Sequence, residues 1–355
     1  DELTERRAAD EGLTRPELAV LVALAKSSVA GSLLDAEDFD FDDDVWSADL
    51  ERYFPDAIVR KVGTHLATHP LRRELIATLA AGEAVNTLGP TFVARRAAEF
   101  GATRAAVIRA FRVAIGVAGA RGLSEQIDAL RDVDPEIVWA LRDQLNERVR
   151  VTSRWFVARG VDGSIATTID EHRDGVDAIE RRLAEREDDE ARSERREAWI
   201  AAGVPEALAD AVAIDAALLL APQIVAGAGR CGRPVEDVAD AVLHLGTELS
   251  MGTLHRAVEQ LPLPDRLTRW AVQALRDDLL AARVAVAEVA LEAAPKTDPI
   301  AAVDAFLAEH DVSVQRFRGF LRELSEGDSE RASPAPAACT LAVRQLQVLG
   351  APAIV

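Results

Sequence analysis

Three spacings in this sequence could do chemistry. Gly227, Gly229 and Gly232 stand in the order G-x-G-x-x-G, within GAGRCG, a pattern that lets a backbone close on a pyrophosphate. That chemistry needs a strand before the first glycine and a helix entered by the third. Here Pro222 lies upstream, and Pro234 suits a helix opening near residues 233–235, which would leave all three glycines in an interhelical loop. The loop reading is adopted, with no cofactor-binding residue assigned. Asp38, Asp40 and Asp42 occupy the odd positions of a calcium loop with Asp49 as its twelfth residue. Asp43 sits at position six, where the sharp turn wants glycine, and the last ligand should be a glutamate. Residues 35–49 therefore read as a solvated acidic loop, with cation binding left open.

His65 and His69 are four apart, as zinc ligands on one helix face can be, but no acid lies between them and no third ligand is near in sequence. They read as surface or capping histidines. His172, His244, His255 and His310 are isolated, so spacing assembles no Ser-His-Asp or Cys-His arrangement. Cys231 and Cys339 lack metal spacing and read as free thiols in a reducing compartment. No catalytic residue and no metal ligand is assigned.

One more group is polar without a burial argument to require it. Arg72, Arg73, Asn86, Thr91 and Arg95 flank a helix corner in HPLRRELIATLAAGEAVNTLGPTFVAR, His69 to Arg95. They are either solvated helix faces with one cap, or an interdomain or intersubunit contact in which planar guanidinium groups grip carboxylates. Both readings stay open.

The elements that must position these groups are helices. Pro70 suits a first turn, Leu71, Leu75, Leu79 and Val85 recur at helical spacing, Gly89 can end the helix with positive φ, and Thr91 can cap the next one. Before that corner, Thr14 and Glu17 form a capping box ahead of a stripe of Leu18, Leu21, Val22, Ala25 and Val29. After it, Thr103 opens a helix through Val107, Phe111, Ala114 and Ile115. Asp134 and Pro135 open a longer one reaching Trp155 and Phe156. Gly160 and Gly163 mark the best domain boundary. Beyond it a helix is expected over Ile165–Glu197, charged and exposed in its far half, then helices from Pro205 through Leu219, from Pro234 through Leu245, and over Asp265–Glu292 with Leu267 and Trp270 on its apolar face. Two more, near Asp298–Glu309 and Val312–Glu326, precede a Ser/Pro/Ala linker and a last amphipathic piece, Leu341–Leu349.

The expected fold is an all-α, elongated multi-helix bundle. Its parts are a helical subdomain over 1–162, a second over 163–328 with the charged helix near 170–200, and a linker with a docking helix over 329–355. A chain of 355 residues buries roughly three quarters of its unfolded surface, enough for a core without metal or disulfide. Its net charge of −19 repels phosphate backbones and anionic lipid alike, which argues against nucleic acid and membrane partners. Lys26 and Pro222 interrupt the apolar runs before either reaches the roughly eighteen residues of a spanning helix. A cytoplasmic protein fits. The charged opening DELTERRAADEG reads as neither a signal peptide nor a native start, so a fragment is expected.

Five phrases carry a resemblance: GLTRPELAVLVALAK (12–26), LERYFP (50–55), HPLRRELIAT (69–78), VNTLGPTFVAR (85–95) and TSRWFVARG (152–160), with a sixth stretch over 238–284. In that order they resemble the C-terminal helical region of the large bacterial NAD-dependent glutamate dehydrogenases. The family usually has an Arg-Gly-Gly type corner where this chain reads Thr87-Leu88-Gly89. The resemblance implies a homo-oligomeric parent enzyme that converts L-glutamate to 2-oxoglutarate and ammonia while reducing NAD. Its nucleotide-binding fold and catalytic lysine and aspartate would lie upstream, so no catalytic residue is carried over. This portion would be non-catalytic, with the catalytic domain of the same chain as its partner, serving scaffold, subunit contact or regulation. An independent helical interaction module is the alternative.

Overall fold

The computed structural model describes residues 12–184, 190–213, 216–326 and 336–351, and among them every regular element is a helix. The fold is all-α. By contact the chain divides at Arg173/Asp174 into two compact units.

In the first unit the chain forms α1 (Arg15–Leu34), α2 (Val45–Tyr53), α3 (Asp56–Val62), α4 (Arg72–Leu88), α5 (Phe92–Phe100), α6 (Arg104–Val117), α7 (Ala120–Asp128), α8 (Pro135–Arg159) and the start of α9 (Ile165–Ala184). The centre is α6. Ten of its fourteen residues are buried, so it is apolar nearly all round, and α1, α4, α5, α7 and α8 pack on it. Thr103 fixes its start by accepting the Ala106 N–H at 3.0 Å, as Asp134 fixes α8 by accepting from Glu136 at 2.8 Å. The box at α1 is closed by the Glu17 carboxylate, which accepts the Thr14 N–H at 2.6 Å and its hydroxyl at 2.7 Å.

The second unit continues with α10 (Glu190–Ala201), α11 (Glu206–Val212), α12 (Ala216–Cys231), α13 (Val235–Glu248), α14 (Met251–Glu259), α15 (Arg266–Ala293), α16 (Pro299–Glu309), α17 (Asp311–Glu326) and α18 (Pro336–Leu349). Its spine is α15, on which α12, α13, α14, α16 and α18 pack. Asp265 starts that spine by accepting the Thr268 N–H at 2.9 Å, and Asp298 starts α16 in the same way. The helix that ends the described chain is longer than the expected Leu341–Leu349 and buries Cys339, Ala342, Val343 and Leu346.

Several local expectations change. Pro70 lies ahead of α4 rather than in its first turn, because Leu71 is the residue before the helix and the Leu71 N–H is held by Nδ1 of His69 at 3.1 Å. Leu71 is exposed, and α4 buries Ile76, Ala77, Ala80, Ala81, Ala84, Val85 and Leu88 instead. Small alanines at three- and four-residue spacing let α1 approach closely, which a count of large residues overlooks. On α1 itself Leu18 and Leu21 are exposed, and only Val29 and Leu33 are buried. By length and composition α1 is long and apolar enough to cross a membrane, Lys26 notwithstanding.

The helix expected to run from Pro205 through Leu219 is two helices, α11 and α12. Pro222 sits inside α12 rather than ending it, offset by burial of Leu218, Leu220, Ala221 and Ile224. The Ile165–Glu197 expectation resolves into α9 and α10, and the expected partner of Arg192, Asp188, and the linker residues 329–335 fall outside the described set. Arg192 is buried rather than solvated, donating to the carbonyls of Leu183 at 3.1 Å and Ala213 at 3.3 Å. Leu267 is exposed on α15. The short helices α7 and α14 have no counterpart in the sequence reading.

Two glycines test the packing of the first unit. A Cβ on Gly116 would run into the side chain of Ile169, whereas one on Gly82, inside α4, meets nothing within 4 Å. Gly116→Val is expected to cost about 2–3 kcal/mol by overpacking. Gly82→Ala is expected to gain about 0.5–1 kcal/mol from helix propensity. Urea denaturation of the two variants checks both signs.

Candidate functional site

The acidic segment 35–49 is only in part a solvated loop: six of its eight carboxylates are exposed, but Asp43 and Asp49 are buried and residues 45–49 belong to α2. Phe39, Phe41 and Trp46 alternate with its aspartates and are buried as an aromatic cluster, with Phe39 4.7 Å from Phe41 and 5.5 Å from Trp46. The indole N–H donates to the Asp40 carbonyl at 3.0 Å. Asp43 is buried too, and its carboxylate accepts the Ile165 N–H at 2.6 Å, which caps α9 from far away in sequence. The aspartates are thus used in local caps and ion pairs, and among the described residues no group of three or more His, Cys, Asp or Glu converges.

Arg72 and Arg73 hold this segment to α4. Arg72 is buried and donates to the Phe41 carbonyl and to Asp42 at 3.3 Å, while Arg73 lies 4.7 Å over the Phe41 ring and donates to the Leu34 carbonyl at 3.4 Å. Asn86 is exposed and lines a cavity. Thr91 and Arg95 are exposed on the surface, and Thr91 precedes α5 with αR backbone and no capping bond from its hydroxyl.

The chemistry-bearing cluster of this unit lies elsewhere, where Asp49, Glu83 and Arg121 line that cavity of about 1210 Å³. Asp49, on α2, accepts from Arg112 of α6 at 3.1 and 3.2 Å and from Arg121 of α7 at 2.9 Å. Arg121 also grips Glu83 of α4 through two bonds of 2.7 and 2.6 Å. Two carboxylates and two guanidinium groups therefore neutralise one another in planar, bidentate contacts among four helices. Burial pulls the Asp49 carboxyl upward, but hydrogen bonds and charge from Arg121 and Arg112 hold it below the usual carboxylate range. Burial lowers Arg112, and the paired carboxylates raise Arg121 in spite of burial. Around the walls Arg52 pairs with Glu125 at 2.5 Å and Arg142 pairs with Asp128.

Sequence reasoning met Asp49 only as a calcium-loop position and passed over Glu83, Arg112 and Arg121. One signal was present: Arg112 interrupts an apolar run on the most buried helix, and such a charge has to be paired. A second ionic knot ties α5 to α8, where Glu99 meets Arg154 at 2.5 Å and Arg96 at 2.8 Å, and Arg154 lies 4.8 Å over the Phe100 ring.

The histidines have local partners. His172 sits against Trp155 and Phe156 with Nδ1 3.0 Å from the Thr168 carbonyl, and burial lowers its pKa. His244 lies 2.7 Å from Asp304, and His310 stacks on Phe306. His255 lies 3.3 Å from Glu259. Cys231 and Cys339 are free, and burial pushes both thiols up, away from nucleophilic character.

The glycine motif falls differently from expectation. Gly227 and Gly229 lie within the last turns of α12, and only Gly232, with φ +63°, sits between α12 and α13. Inside that helix the bare Gly227 lets Glu288 and Val284 of α15 pack closely against it. A helix C-terminus carries partial negative charge and turns carbonyls outward, the wrong end for a pyrophosphate. These residues do not fit a dinucleotide.

Comparison with known proteins places this fold in a family. The family described as "Glutamate dehydrogenase, C-terminal" matches residues 10–347. The chain belongs to that family. It is 31% identical over 333 residues to the NAD-specific glutamate dehydrogenase of Halomonas elongata, covering 92% of this chain and 20% of the relative. It is 30% identical over 331 residues to that of Pseudomonas aeruginosa, covering 91% and 20%. A third relative, the NAD-specific glutamate dehydrogenase of Mycobacterium tuberculosis, is 31% identical over 289 residues, covering 79% and 17%. The chain thus spans about a fifth of the length of the curated relatives it matches.

The Asp49 cluster generates the test for this family member. Asp49→Ala strands the buried Arg112 and should cost about 3–5 kcal/mol, of which Asp49→Leu with Arg112→Met restores most. Asp49 has a folded pKa below its unfolded one, so its contribution is whole above about pH 4 and fades as pH falls through the folded value. The stability gap between the native chain and Asp49→Asn should therefore be constant at neutral pH and shrink in acid, as read by urea denaturation at stepped pH.

Proposed function

We propose that this chain is the non-catalytic helical C-terminal region of a larger NAD-dependent glutamate dehydrogenase, which converts L-glutamate to 2-oxoglutarate and ammonia as NAD is reduced. The observation that carries the reading is the family match over residues 10–347, set against coverage of only a fifth of relatives named for that activity. The Asp49–Arg112–Arg121–Glu83 cluster supports it, because charges locked in bidentate pairs are occupied in holding helices. The dinucleotide and the reacting carbon then sit in polypeptide upstream. These helices act by position, as a rigid support for the catalytic domain in a cytoplasmic homo-oligomer.

Two preparations test this. The 355 residues alone should form no NADH from L-glutamate and NAD at 340 nm and should show no NAD binding by calorimetry. The longer polypeptide should do both. Turnover by the 355 residues alone would overturn the proposal, as would a longer polypeptide inactive on glutamate.

A further inference from the structure

Helix α1 is apolar on two opposite sides. Val29 and Leu33 face inward, toward the elements that α1 packs on, α4 and α6. At 3.6 residues per turn Val20 and Leu24 fall on the opposite side and Leu21 at its edge, with Leu13 just ahead of the helix, whereas Leu18 falls in line with Val29 and Leu33. On that outer side Val20 is 58% exposed and Leu24 62%, and Leu13 and Leu21 are exposed as well. No other helix among the described residues leaves so many large aliphatic side chains in water. Elsewhere they stand singly, apart from the pair Leu341 and Val348 on α18.

A helix that is apolar all round is one meant to be covered on all sides. Residues 1–11 read DELTERRAADE, with one leucine among seven charged side chains, so their composition supplies no apolar stripe to do so. The relatives, however, carry about four fifths of their length outside the region this chain matches. We infer that the outer face of α1, centred on Val20 and Leu24, is the docking surface for an apolar element of that longer polypeptide lying outside these 355 residues. The inference rests on the proposed function and specifies which surface of the region meets the rest of the enzyme. Ser27 and Gly31 continue the same side beyond Leu24. A Cβ on Gly31 meets nothing within 4 Å, so the far half of the face has room for close approach by a second helix.

The test uses the full polypeptide carrying Leu24→Cys, with N-ethylmaleimide labelling at that position followed by peptide mass spectrometry. Labelling in the native enzyme should be at least tenfold slower than in the urea-unfolded enzyme. A benzophenone side chain placed at position 24 should cross-link to a peptide from outside the 355 residues. Labelling at the unfolded rate would overturn the inference. So would cross-links confined to α1 of a second copy, or to lipid when vesicles are present. Glutamate-dependent NADH formation by the same preparation is read in parallel. Its absence indicts the proposed function, whereas its presence with position 24 freely labelled indicts only the docking surface.

Discussion

Four charges that cannot be left alone organise the first half of this protein. Arg112 sits on the most buried helix of the unit, and a guanidinium removed from water costs several kcal/mol unless a carboxylate meets it. Asp49 does so, and it can only do so if α2 is drawn against α6. Arg121 then bridges Asp49 to Glu83, which sets α7 and α4 against the same point. Apolar packing supplies the driving force for collapse. The ion cluster adds direction, because planar bidentate pairs tolerate little rotation or sliding of the helices that carry them. The same logic recurs at Glu99, where Arg96 and Arg154 join α5 to α8.

The acidic stretch 35–49 depends on that frame. Its aspartates repel one another, yet the segment is held in place because each second residue is an aromatic or a cap. Phe39, Phe41 and Trp46 bury inward, Asp43 closes the N-terminus of α9, and Arg72 and Arg73 grip the Phe41 backbone and ring. Arg72 and Arg73 read from sequence as candidates for an outside partner and hold this segment within the unit. Asn86, Thr91 and Arg95 lie at the cavity wall or the surface.

Helices with strong local punctuation were legible in the sequence: Asp134–Pro135 opens α8, Thr103 opens α6, Asp298 opens α16, and Gly89 closes α4 at φ +90°. What local patterns miss is whatever tertiary contact decides. Alanines at 77, 81 and 84 look featureless until α1 is laid against them. Arg112 and Arg121 are many positions from Asp49, and no spacing rule joins them. The GAGRCG motif misleads for a related reason, since two of its glycines sit in a helix and one of them, Gly227, admits Glu288 and Val284, a need that only packing reveals. The order of the recognisable phrases carried the family, which the match over residues 10–347 shows.

All of this describes a region whose charged groups are committed to holding helices together. The most direct measurement is turnover per folded molecule of the full polypeptide carrying Arg121→Gln, alongside its thermal midpoint. The account predicts a Tm lowered by several degrees with kcat and KM for glutamate within about twofold of the parent. A drop in kcat of about a hundredfold at unchanged Tm, the size expected for loss of a group acting in the chemistry, would contradict it.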